Sequence, residues 1–123
     1  MSEIVTVKLQ VKDIKAVRQA CDDCHMVLNT MTGRMVIRDP VSGGEFILKS
    51  LGDQWELRYD NWCWSTEMEN AVGEDCGKWL QRYAYHAAMN RANQLGWTVQ
   101  EEVLPDGAVV LTCDVPDQFA HAW

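Results

Sequence analysis

The chain has no apolar run approaching the roughly 20 residues that a membrane-spanning helix needs. No basic segment followed by an apolar block opens it. Met1-Ser2-Glu3 leads at once into alternating residues, so no membrane partner and a cytoplasmic location are expected. It also has no internal repeat, no low-complexity tract and no linker, and its 123 residues make one domain. No glycine-rich phosphate loop follows a strand-like segment, and no serine or cysteine nucleophile has an identifiable base. A non-enzymatic protein is therefore expected.

Positive charge is scarce beyond the first third of the chain. Residues 1–38 carry a net +2, whereas residues 39–123 carry −9, for −7 in total. An acidic chain repels phosphate backbones, which argues against general nucleic-acid binding. Glu67, Glu69, Glu74 and Asp75 follow one another with no base between. Carboxylates there suit the positive end of a following helix, and they also form an acidic surface for a basic partner.

What the chain does have is a clear change of period near its end. Cys76, Trp79, Leu80, Tyr83, Ala84, Ala87, Ala88, Ala92 and Leu95 recur at three- and four-residue steps, predicting a helix over 76–95. Gly96 follows as the expected helix-ending residue. Trp97, Val99, Glu101 and Val103 alternate with their neighbours, as do Val109, Leu111, Cys113 and Val115 after a Leu104-Pro105-Asp106-Gly107 turn. This predicts a hairpin.

Upstream, Val5, Val7, Leu9 and Val11 alternate as a strand. Asp13 is a candidate N-cap for a helix with Ile14, Val17, Cys21 and Cys24 on one stripe. Strands are predicted at 35–38, 45–49 and 55–59, with a turn at Asp39-Pro40-Val41-Ser42-Gly43-Gly44. The order β-α-β-β-β-α-β-β predicts an α+β fold, an antiparallel or mixed sheet of about six strands with two helices on one face. Its single core would hold Val5, Val7, Leu9, Leu57, Trp79, Tyr83, Val99 and Leu111.

The residues Gln81-Arg82-Tyr83-Ala84-Tyr85, followed by Gly96-Trp97, carry a family resemblance. With the N-terminal strand and the Trp/Tyr-rich centre, the chain resembles a domain-of-unknown-function family. That family includes the hypothetical chloroplast open reading frame thirty-five product of algal plastids and cyanobacteria, with members in other bacteria and in phages. The resemblance covers most of the chain and implies a fold and a cytosolic or stromal setting rather than a mechanism. The Trp62-Cys63-Trp64 cluster and the acidic loop depart from the family pattern.

Three groups of residues are candidates for chemistry. Cys21-Asp22-Asp23-Cys24-His25 has the Cys-x-x-Cys-His spacing of c-type haem attachment. A sheet-rich chain without an export signal argues against haem, and no cofactor is expected. Zinc is the alternative, with Cys21, Cys24 and His25 as ligands and Cys63 or Cys76 as a fourth. A thioredoxin-like role is disfavoured because the pair lies near a helix end rather than a helix start. Packing as core thiols is the simplest reading.

Trp62 and Trp64 form the second group. Alternation sends both rings to the same side, beside Glu67 and Glu69, in an aromatic-acidic surface suited to a protein partner. A host factor inhibited by a phage protein, or a second copy of this chain, would fit that surface. Lys78, Arg82, Tyr85 and His86 form the third group, a basic-aromatic strip on the outer face of the last helix. There a guanidinium fork and a hydroxyl suit a small anionic ligand.

Overall fold

The computed structural model describes residues 4–9, 13–52, 54–60, 64–106 and 108–114. Expectations at Val11, Trp62, Cys63, Gly107 and Val115 lie outside the described residues. The elements run β1 (Ile4–Leu9), α1 (Ile14–Asp23), β2 (Val27–Met31), β3 (Arg34–Arg38), β4 (Glu45–Leu51), β5 (Gln54–Asp60), α2 (Thr66–Val72), α3 (Gly77–Gln94), β6 (Thr98–Val103) and β7 (Val109–Asp114). The fold is α+β and its described strand pairs are antiparallel.

The strands form two sheets rather than the expected single one. A five-stranded sheet has the order β1-β5-β4-β3-β2, and β6 pairs with β7 alone. Alternation finds the other six strands but does not say which partner each takes, and the last hairpin pairs only with itself. Val99 and Leu111 accordingly lie half-buried in the second sheet, outside the main core. The second difference is β2. Val27–Met31 is exposed at four of its five positions, so it lacks the in-out alternation that betrays a strand.

Asp13 caps α1 as its position predicts, accepting from the Ala16 N–H at 2.9 Å. Ala16, Val17, Ala20 and Cys21 form the buried stripe of α1, whereas Ile14 is exposed. The helix ends at Asp23. Cys24 is its cap, and His25 takes a left-handed φ of 57° that turns the chain into β2.

α3 lies antiparallel to α1 and is tied to it at both ends. Asn90 donates to Asp13 Oδ2 at 3.0 Å and to Gln19 Oε1 at 2.9 Å. At the other end Arg82 Nε donates to Asp23 Oδ2 at 2.7 Å.

The helices bury their apolar sides against one face of the main sheet, which contributes Met35, Ile37, Phe46, Leu48, Leu57 and Tyr59. Trp79 is fully buried at the centre, edge-on to Phe46 with ring centroids 5.1 Å apart. Tyr83 packs edge-on against it at 5.9 Å. Val5, Val7 and Leu9 stand opposite Tyr59, Leu57 and Trp55 in the β1–β5 ladder.

Candidate functional site

The strand period that builds the core also builds the site. Met35 and Ile37, Phe46 and Leu48, Leu57 and Tyr59 are buried beneath the helices. Their alternates therefore face away from the helices. These are Arg34, Val36 and Arg38 on β3, Glu45, Ile47 and Lys49 on β4, and Glu56, Arg58 and Asp60 on β5. No described helix covers this face.

Register then brings cations together. Arg34 stands directly opposite Lys49 in the β3–β4 ladder, and Ile47 stands opposite Arg58 in the β4–β5 ladder. Like charges placed directly opposite on neighbouring strands are destabilising. Among the described residues neither Arg34 nor Lys49 has a carboxylate within ion-pair distance. Glu56, the other cross-strand neighbour of Lys49, is held by Arg58 at 3.3 Å.

A groove of about 310 Å³ opens between these cations, lined by Arg34, Ile47, Lys49, Arg58, Tyr59 and Asp60. A second hollow of about 330 Å³ shares Ile47, Arg58, Tyr59 and Asp60 with it and is also lined by Gly43, Gly44, Glu45 and Trp64. The two make a trough with a cationic end, an apolar floor at Ile47 and an indole at the far end.

Trp64 is held there firmly. Its ring stacks on Tyr59 at 4.4 Å and 18°, and its Nε1 donates to the Glu45 carbonyl at 3.1 Å. The Tyr59 hydroxyl in turn donates to Asp75 Oδ1 at 2.7 Å. Trp64 is thus half-buried rather than a free indole, and its predicted companion Trp62 lies outside the described residues.

Glu67 and Glu69 are exposed in the first turn of α2, which Ser65 caps by accepting from Met68 N–H at 3.2 Å. Met68 between them is buried. Their charge serves the helix dipole.

The basic strip on α3 is not a solvated face. Arg82 and His86 both meet Asp23, with His86 Nε2 2.6 Å from the carboxylate oxygen that Arg82 also bonds. Burial opposes ionisation of Asp23, but the hydrogen bonds from His86 and Arg82, and the charge of Arg82, hold its carboxyl below the ordinary range. Tyr85 donates to Glu101 Oε2 at 2.7 Å, and the Arg82 guanidinium lies over the Tyr85 ring at 4.5 Å. Carboxylates of the chain itself already take the Arg82 Nε–H and the Tyr85 hydroxyl. Lys78 is exposed on the same helix.

Nor do Cys21, Cys24 and His25 converge. The two cysteines are buried while His25 is exposed, and among the described residues no group of three or more His, Cys, Asp or Glu is placed to hold a metal ion. Burial pushes the Cys21 thiol up to about 11 and Cys76 to about 12, and it raises Cys24 as well, which disfavours the thiolate that ligation requires.

An unfolded thiol ionises near 9, so the contribution of Cys21 and Cys76 to stability is present below pH 9 and is lost as pH rises toward 11–12. Denaturant midpoints should therefore fall steadily above pH 9. Site-resolved labelling with a disulfide reagent at pH 8 should modify exposed Cys113 at once and leave Cys21, Cys24 and Cys76 unmodified until the chain unfolds. Immediate labelling of Cys24 would contradict this assignment.

Comparison with protein-family models, curated proteins and solved structures gives no match. The site therefore rests on its own geometry. Sequence reading missed Arg34, Lys49 and Arg58 because each is an ordinary polar position of an alternating strand. Only the register of β3, β4 and β5 puts them side by side.

Proposed function

We propose that this chain is a small binding protein that holds an acidic segment of a protein partner on the uncovered face of its main sheet. The observation that carries this reading is the directly opposed Arg34–Lys49 pair at the mouth of the trough. Two like charges in register cost stability in the free protein, and a carboxylate lodged between them removes that cost. Ile47 and Trp64 offer an apolar floor and a ring against which a large side chain of the same segment would pack.

Trp64 belongs to this protein-binding surface, but the partner segment it suits is acidic rather than basic. Glu67 and Glu69 belong to the start of α2, while the adjoining trough is cationic at the end away from Trp64. An inhibitor of a host factor is one form such a binder takes. We place the chain in the plastid reading-frame family on Gln81-Arg82-Tyr83-Ala84-Tyr85 and Gly96-Trp97, with a cytoplasmic setting. No catalytic step is assigned.

A titration with a short glutamate-rich peptide containing one aromatic residue, followed by backbone amide shifts, tests the site. Shifts should concentrate on 34–38, 45–49 and 56–60, and the affinity should fall as salt rises. Shifts confined to α3, or none at all, would overturn the reading.

A further inference from the structure

The outer edge of β2 offers a separate surface. β2 ends the strand order β1-β5-β4-β3-β2, so one side of its backbone has no ladder partner among the described residues. Proteins usually blunt such an edge with lysine, proline, a bulge or an inward-pointing charge, because unpaired N–H and C=O groups invite another strand. β2 has none of these. It reads Val-Leu-Asn-Thr-Met, and its register with β3 runs unbroken through five pairs. Val27 and Met31 are 53 % and 47 % exposed.

We propose that β2 is the contact strand of a symmetric dimer, in which two copies join edge to edge into one ten-stranded sheet. The occupant is a second copy because the strand is complementary to itself. Antiparallel pairing about a twofold axis at Asn29 sets Val27 against Met31 twice, covering both exposed apolar side chains, and sets Leu28 against Thr30. Charge points the same way. A chain of net −7 repels its own copies over most of its surface, whereas this strand contributes no charge to the contact.

Five residues per copy make a small contact, so the dimer forms in the micromolar range or weaker. The geometry has a consequence for the binding site. Strands lie about 4.8 Å apart, so the two Arg34–Lys49 pairs would share one continuous face roughly 20 Å from each other. A partner with two acidic segments would then engage both.

Sedimentation velocity on the full chain, from micromolar to millimolar concentration, tests the dimer. A concentration-dependent shift from monomer to dimer is expected, and Asn29→Lys should weaken it at least about tenfold by setting two charges on the axis. Asn29 is exposed, so the melting temperature of that variant should stay unchanged. Val27→Lys gives a second, independent break. Amides on the outer edge of β2 should exchange more slowly as concentration rises. Lys49→Glu, on β4 and away from the edge strand, should leave association intact, which separates the dimer from peptide binding. A monomer throughout the range, or association unaffected by both lysine variants, overturns the proposal.

Discussion

Trp79→Ala should destabilise the protein by about 3–5 kcal/mol, as truncation of a large core aromatic does. The indole is fully buried, touches Phe46 from β4 and Tyr83 from its own helix, and so links α3 to the centre of the sheet. Its removal leaves a cavity at the point where the two layers meet. Trp79→Phe is a sharper companion. Trp79 Nε1 is buried without a hydrogen-bond partner of ordinary geometry, with the Cys21 sulfur, a weak acceptor, beside it. Phenylalanine keeps most of the packing and removes the orphan donor, so its cost should be well below half that of alanine. Urea unfolding of the two variants measures both. Equal losses would mean that the N–H group, not the ring, is what matters.

Gly73→Ala should cost about 2–4 kcal/mol although it adds a single methyl. Gly73 closes α2 at φ 82° and ψ 167°, a conformation essentially reserved for glycine. A Cβ there would also meet the backbone nitrogen of Lys78 at 2.7 Å, and backbone cannot yield as a side-chain tip can. The strain falls on the corner between α2 and α3, where Asp75 and Cys76 are themselves left-handed. Asp75 accepts from Tyr59, on which Trp64 stacks, so the same variant should loosen the aromatic end of the trough. Reduced stability without any change at Trp64, monitored by its side-chain N–H resonance, would break that link.

The core helix, the hairpin and the Asp13 cap are legible in the chain because each depends on neighbours a few residues away. Trp79 and Tyr83 announce themselves by helical spacing, and Asp39 to Gly44 by turn chemistry that the structure fills in with Asp39 accepting from Val41 N–H and Ser42 Oγ. What could not be read depends on distant pairing. Nothing within Thr98–Asp114 says that this hairpin stands apart from the main sheet. The same gap hid the site. Lys49 is fifteen positions from Arg34, and only the β3–β4 register sets them face to face. The surroundings of the α3 strip depend on distant pairing as well. Arg82 and His86 look like a solvated face until α1 arrives with Asp23, 59 and 63 positions away.

The most direct test of the sheet-face site is Arg34→Glu, followed by melting and by peptide titration on the same sample. Glutamate opposite Lys49 turns a repulsive cross-strand pair into an attractive one, so stability should rise by about 0.2–1 kcal/mol. Peptide affinity should fall at least about tenfold over the same substitution. A position that costs stability and serves binding shows this opposition of signs. If Arg34→Glu leaves peptide affinity unchanged, or lowers stability and affinity together, the trough is not a binding site and the pair is ordinary surface charge.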